Sequence, residues 1–233
     1  DREGDTVYLV RDRIGKKPLY YEIEDGNLYF GSELKPLMKR PGFLEEIRTD
    51  VLPRFLYQQY IAEPDTIFKN VYKLRPGEIL SFCYGEVKTW KYWDIKKVYH
   101  ERKQKPVRDY AEAKETLKEL LKESVKKRMI ADVPLGAFLS GGYDSSLMTA
   151  IAQEISDTPA KTFTIGFPVE RYNEAEYAKE VAEFLGTDHT ELYIDEAQMF
   201  DLVSSIPVYY DEPFADSSQI ATMLVSELAR KRV

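Results

Sequence analysis

Ser140-Gly141-Gly142-Tyr143-Asp144-Ser145-Ser146 follows a short apolar run, Leu135 to Leu139, and precedes a helical pattern from Ser145 to Ile155. A strand that ends in a Ser/Gly turn and opens a helix belongs to a parallel α/β sheet, whose ligands bind at the carboxyl ends of its strands. Gly141 and Gly142 carry no Cβ, so the backbone can turn sharply and bring its N–H groups close to an anion. The helix that follows offers unpaired N–H groups and a positive dipole end. Ser140, Ser145 and Ser146 add hydroxyl donors. Asp144 either caps the helix or holds a cation, since a carboxylate beside bound phosphate needs a metal between them. Spacing alone also describes a plain strand-to-helix turn with an Asp cap. Two other phosphate loops are excluded: the chain has no Gly-Lys-Ser/Thr of a Walker loop and no G-x-G-x-x-G.

Around this loop, helix and strand alternate from Tyr110 to the end of the chain. Leu117, Leu120, Leu121 and Val125 have amphipathic-helix spacing. Thr162 to Phe167 and Thr190 to Ile194 read as strands, with a helix from Glu174 to Leu185 between them. That alternation predicts a parallel sheet covered by helices. Residues 1–95 read as β-rich: Val7 to Val10, Pro18 to Ile23, Leu28 to Phe30 and Glu78 to Phe82 are aromatic or β-branched runs separated by turn signals. The turn at Asp25-Gly26-Asn27 predicts a hairpin. Asp50 to Tyr60 predicts a helix, with Asp50 as its cap and Pro53 in its first turn. Residues 96–109 are charged, contain Pro106 and lack apolar periodicity, so they are expected to be a linker, with a second domain at 110–233.

Composition limits the chemistry. The chain has 233 residues, 43% hydrophobic, 31% charged and 13% aromatic, enough for a sizeable core. No apolar run reaches the roughly 20 residues of a membrane helix, and no secretory leader pattern is present. The net charge of −7 argues against non-specific nucleic-acid binding, which phosphate attraction dominates. A single cysteine, Cys83, forms no internal disulfide, and a reducing cytoplasmic setting fits it. His100 and His189 lie far apart in sequence, so metal chemistry is expected to rest on carboxylates. The chain starts at Asp1 and stops at Val233 after a strong helix pattern, so both ends are expected to cut through folded material.

The loop resembles the PP-loop of the ATP pyrophosphatase superfamily, which splits ATP between the α- and β-phosphates. Its surroundings carry the likeness further. Arg11-Asp12-Arg13-Ile14-Gly15-Lys16-Lys17-Pro18-Leu19-Tyr20-Tyr21, Gly31-Ser32-Glu33-Leu34-Lys35, Leu74-Arg75-Pro76-Gly77-Glu78 and Tyr92-Trp93 resemble segments of class II glutamine amidotransferases. Asp132-Val133-Pro134-Leu135-Gly136, Thr162 to Phe167, Leu185-Gly186-Thr187-Asp188-His189 and Tyr210 to Ser218 complete an ordered set. The set is similar to the glutamine-hydrolysing asparagine synthetases of bacterial type.

That resemblance implies the end of an N-terminal-nucleophile (αββα) amidotransferase domain at residues 1–95. It implies the start of a Rossmann-like, parallel-sheet ATP pyrophosphatase domain at 110–233. The implied reaction takes ammonia from glutamine and activates aspartate as an acyl-adenylate, with ATP and Mg2+ as cofactors and AMP and pyrophosphate as products. Ser140, Gly141, Gly142, Asp144, Ser145 and Ser146 would hold pyrophosphate, with Asp144 on the metal. Phe138 or Leu139, together with Ile165, would border adenosine. Ile165 also reads as plain core. Asp211, Glu212 and Asp216 are expected near another strand end that opens onto the crevice, and they also read as a turn plus a cap on a helix near Ser217.

The partners so implied are small molecules, with neither nucleic acid nor membrane, and the family admits a homodimer. Tyr143 departs from the leucine usual at its position. No residue here matches the family's N-terminal nucleophilic cysteine, and Cys83, in a strand pattern, reads as an inert thiol. Two other readings stand beside this one. One is a related PP-loop amidotransferase acting on a sugar acid or a β-lactam precursor; the other is a non-catalytic scaffold.

Overall fold

The computed structural model describes residues 1–169 and 173–233, which divide into two compact units. Unit 1 comprises residues 1–106 and 207–216, and unit 2 comprises 107–206 and 217–233.

The strands of unit 1 are β1 (Val7–Val10), β2 (Tyr20–Glu24), β3 (Asn27–Gly31), β4 (Val71–Lys73), β5 (Glu78–Cys83) and β6 (Glu86–Lys91). They form two antiparallel sheets, ordered β1-β5-β6 and β3-β2-β4. The expected hairpin joins β2 to β3 through Asp25 and Gly26, whose φ values of 49° and 73° are those of a primed two-residue turn. Tyr84 (φ 46°) and Gly85 (φ 84°) make the same turn between β5 and β6. Every residue of β6 is exposed, so no buried alternation marks it as a strand. Leu80 of β5 faces Leu9 of β1 in register, and both pack with Leu74 in one core cluster. A second cluster gathers Leu34, Leu37, Val51 and Val71.

The helices of unit 1 are α1 (Leu34–Met38), α2 (Leu52–Gln58) and α3 (Ile95–Lys103). Pro53 sits in the first turn of α2 as expected, but Asp50 does not cap it. The Asp50 carboxylate instead takes two hydrogen bonds from the Arg48 guanidinium, at 3.2 and 2.7 Å, within a 3-10 turn at Thr49–Val51. Residues 96–109, expected as a linker, are helical through Lys103. Asp94 caps α3 by accepting from the Lys96 N–H at 2.9 Å, and local backbone bonding suffices without any buried side chain. The division between units falls at Pro106, within this stretch.

The Arg-Asp-Arg-Ile-Gly segment is a folded cradle. Arg11 is 5% exposed and donates to the carbonyls of Lys17, Leu74 and Gly15. Asp12 accepts from the N–H groups of Ile14, Lys16 and Lys17, and those backbone bonds hold its carboxyl below the usual range. Gly15 (φ +68°) has room for nothing larger, since a Cβ would lie 2.6 Å from Pro76.

Unit 2 contains α4 (Tyr110–Arg128), β7 (Gly136–Phe138), α5 (Tyr143–Glu154), β8 (Lys161–Gly166), α6 (Ala175–Leu185), β9 (Asp188–Tyr193) and α7 (Glu196–Val203). After α8 (Ile206–Tyr209) and the return of 207–216 to unit 1, α9 (Gln219–Arg230) closes unit 2. The sheet is parallel, ordered β7-β8-β9, with a helix in each crossover. The central strand β8 is buried from Thr162 to Gly166, as a parallel strand between neighbours requires.

His189 of β9 is anchored beneath β8. Its Nδ1 lies 2.8 Å from Thr162 Oγ1, which also meets Thr187 Oγ1 at 3.0 Å. Its buried Nε2 has no hydrogen-bond partner among the described residues, and Glu191 stands 3.9 Å away. Burial lowers the His189 pKa by disfavouring the imidazolium. The unfolded chain therefore binds a proton before the folded chain does, and stability is lost as pH falls below about 6.5. Urea midpoints measured between pH 7.5 and 5.5 are expected to fall towards the acid end, and His189→Gln is expected to flatten that slope.

Candidate functional site

The site is built where β7 hands over to α5. The Leu139 N–H donates to the Phe163 carbonyl at 3.0 Å, which extends the β7–β8 pairing by one residue and buries Leu139. The chain then turns at Gly141 (φ +77°), against α6. A Cβ on Gly141 would stand 2.6 Å from Tyr177 Cβ and 2.8 Å from the Ala178 nitrogen. Gly142 differs: its φ of −71° is ordinary, and a Cβ there would meet only Ser140 Oγ at 3.4 Å. The sharp turn expected of both glycines is therefore made by Gly141 alone. Gly142 is the N-cap of α5 and has no side chain to close it.

Hydroxyls knit the turn. Ser140 Oγ and Ser145 Oγ are 2.9 Å apart, the Ser140 N–H donates to Ser145 Oγ at 3.2 Å, and Ser145 Oγ donates to the Gly142 carbonyl. Ser146 Oγ is buried without a hydrogen-bond partner among the described residues. Asp144 is exposed in the first turn of α5, and no capping bond to it occurs among the described residues.

Beside the turn lies a cavity of about 880 Å³ within unit 2. Phe138, Leu139, Ser140, Ser145 and Ile165 line it; Gly141, Gly142, Asp144 and Ser146 are not on its wall. Ile165 lines the cavity and is also core, packed with Ile194 and Leu224. The rest of the wall is more apolar than sequence reasoning anticipates: Phe163, Phe167, Pro168, Val169 and Met199 join Ile194. Ser217 and Ser218, from the start of α9, face the same space. Their signal was present in the Asp216-Ser217-Ser218 run, but a helix start explained it equally well.

Asp211, Glu212 and Asp216, expected near a strand end, belong to unit 1 and are not among the residues that line this cavity. Asp211 Oδ2 accepts from the Leu34 N–H at 2.7 Å, and its Oδ1 lies 2.6 Å from Lys35 Nζ. Glu212 Oε2 lies 2.5 Å from Lys73 Nζ, and its Oε1 accepts from the Ile67 N–H at 2.7 Å. Burial pushes the Glu212 carboxyl above its ordinary value, against the pull of Lys73. These ion pairs are why residues 207–216, expected in the second domain, belong to unit 1. Cys83 is half-buried, with Sγ 3.6 Å from the Gly4 carbonyl.

An apolar slot with hydroxyl and amide donors at one end suits a ligand with a flat apolar part and an anionic part. No group of three or more metal-binding side chains occurs among the described residues. A divalent cation at this turn would share Asp144 with oxygens of the anion itself, the way Mg2+ is commonly held.

Comparison with known proteins places two family models on the chain. Asparagine synthase matches residues 116–233, and the glutamine amidotransferase domain matches residues 1–93. The chain is similar, at 36% identity over its full length and 45% of the relative, to a Methanocaldococcus jannaschii protein named "Putative asparagine synthetase (glutamine-hydrolyzing) 2". It is 32% identical, again over its full length, to 36% of asparagine synthetase (glutamine-hydrolyzing) 1 of Bacillus subtilis. A Gibberella zeae protein named amidase chry2 is 28% identical over 97% of this chain and 35% of its own. The chain thus spans less than half the length of these curated relatives.

The two glycines are expected to respond differently to substitution. Gly141→Ala combines overpacking against α6 with a left-handed backbone and is expected to cost about 2–4 kcal/mol. Gly142→Ala is expected to cost about 1 kcal/mol or less. Urea midpoints at constant m value check both.

Proposed function

Since the chain belongs to the asparagine synthase family, we propose that it is part of a glutamine-dependent amide ligase that converts aspartate to asparagine through a β-aspartyl-adenylate. The observation that carries this reading is the turn at Ser140–Ser146, packed on Gly141 and opening beside a cavity with an apolar wall. In this proposal residues 1–95 are the end of an N-terminal-nucleophile amidotransferase domain. Unit 2 is the start of a Rossmann-like ATP pyrophosphatase domain, and the setting is cytoplasmic.

An aspartate carboxylate is a poor electrophile, because attack on it would expel an oxide. Attack of its oxygen on the α-phosphorus of ATP forms the acyl-adenylate and breaks the bond to pyrophosphate, which leaves. Ammonia released from glutamine then adds to the acyl carbon and AMP leaves, giving the amide. Phe138, Leu139 and Ile165 border the adenosine. The hydroxyls of Ser140, Ser145 and Ser146, with the N–H groups of Gly141 and Gly142, hold the pyrophosphate in place where charge accumulates on the leaving group. Asp144 would hold Mg2+, which would supply further neutralisation of that charge.

A second reading is a related PP-loop amidotransferase that acts on another carboxylate, a sugar acid or a β-lactam precursor; that a fungal relative has a name other than asparagine synthetase keeps it in view. Full-length protein given ATP, Mg2+, glutamine and a panel of carboxylic acids distinguishes the two. Pyrophosphate release with aspartate is expected; release with another acid and none with aspartate would sink asparagine synthesis. Asp144→Asn is expected to lower pyrophosphate release about 100-fold or more while glutaminase turnover is kept. Unchanged synthesis would remove Asp144 from the metal site.

A further inference from the structure

A smaller cavity, of about 330 Å³, is lined entirely by residues of unit 1. Strand pairing sets part of its wall. Tyr20 of β2 stands directly opposite Lys73 of β4, so their side chains share one face of the sheet. Tyr20 is 7% exposed, and its hydroxyl makes no hydrogen bond among the described residues. Burial, with Glu212 and Asp211 close by, pushes its pKa up, so the oxygen keeps its proton and can donate.

Charge of both signs lines the same cavity. Lys73 Nζ pairs with Glu212 Oε2 and donates to the Ile61 carbonyl at 2.6 Å. Lys35 Nζ lies 2.6 Å from Asp211 Oδ1 and donates to the Tyr209 carbonyl at 3.0 Å. Both pairs are on the wall, with the rings of Tyr60 and Phe214 beside them. Each ammonium has three N–H groups and keeps one in reserve, and the carboxylate oxygens have lone pairs beyond the bonds they accept.

These features restrict the ligand. The cavity of unit 2 offers about 880 Å³, whereas this one is at the low end for a small-molecule site and suits a metabolite smaller than a nucleotide. An apolar ligand would take four charges out of water and leave the Tyr20 hydroxyl unpaired. A lone anion or cation would meet a like charge beside each opposite one. A small molecule with both charges one carbon apart can set its carboxylate on the ammonium groups and the Tyr20 O–H, and its own ammonium on the carboxylates. That is the chemistry of a free α-amino acid.

We propose that this cavity of unit 1 binds a free α-amino acid, with the Tyr20 hydroxyl donating to its carboxylate. The amino acid is one other than the glutamine and aspartate of the proposed reaction, since no residue given a part in that reaction lines the cavity. The inference does not depend on the reading of the unit 2 cavity as an ATP site.

The test heats full-length protein, without nucleotide, with each of the other common α-amino acids at about 10 mM. At least one is expected to raise the wild-type unfolding midpoint by about 2 °C or more. Tyr20→Phe, which loses only a buried hydroxyl without a partner, is expected to have an unliganded midpoint at or above that of wild type. It is expected to bind the same amino acid about 10-fold more weakly or worse, as wild type is expected to bind the corresponding desamino acid and decarboxylated amine. No rise with any amino acid overturns the proposal. Equal binding by Tyr20→Phe puts the ligand elsewhere and overturns it too, and equal binding of either one-charge analogue removes the zwitterion.

Hydrogen exchange on the wild-type protein locates the ligand independently. The Leu34 and Ile67 N–H groups donate to the Asp211 and Glu212 carboxylates, each at 2.7 Å. The amino acid is expected to slow exchange at both amides about 5-fold or more. A rise in midpoint with no change at Leu34 and Ile67 overturns the proposal, and this result decides it if Tyr20→Phe does not fold.

Discussion

At position 141 the chain leaves β7 so close to α6 that no side chain fits, and the arrangement of unit 2 around its candidate site depends on that approach. Because Gly141 alone occupies the left-handed region, the chain can reverse in one residue and begin α5 with Gly142 as an open cap. An Asp or Ser at the cap would satisfy the first helical N–H groups internally. With glycine there, no side chain closes the helix start, and the Ser140 and Ser145 hydroxyls bond to one another across the turn. Helix stability is given up locally at that end.

Unit 1 follows a different rule. Its interior includes charge: Arg11, Glu22 and Lys73 are all buried, and each is paired, with Glu63 at 3.1 Å, Arg40 at 2.9 Å and Glu212 at 2.5 Å respectively. Buried pairs of this kind seldom add net stability over an apolar core, whereas losing one partner costs about 3–5 kcal/mol. What they supply is discrimination. Arg11 accepts only a geometry in which three carbonyls converge, and Lys73 only one in which Glu212 has returned.

Legibility in the sequence followed the range of each interaction. The β2–β3 hairpin could be read because Asp25 and Gly26 must both take positive φ, a demand their residue types announce. The β7–α5 turn, β8 and α6 were equally open, since burial between parallel neighbours and glycine punctuation are local signals. β6 was hidden because its exposed residues have no apolar face, and α3 because a cap and local bonds suffice to form it. Of the residues singled out in the sequence, Phe138, Leu139, Ser140, Ser145 and Ile165 line the cavity, and most of its apolar wall comes from the segments 163–169, 194–199 and 217–225. The return of 207–216 was the least visible feature. It depends on Glu212 meeting the Ile67 N–H across 145 positions, and no spacing rule reports a partner so far away.

That distance has a consequence for how the molecule is made. A ribosome adding 5–20 residues per second needs on the order of ten seconds to pass from Lys73 to Glu212. Once β6 has been made, and for the rest of that interval, the nascent first unit has every strand of its two sheets but lacks the anion that pairs with its buried lysine. Completion of the interior of unit 1 around Lys73 therefore waits for chain that lies beyond most of unit 2.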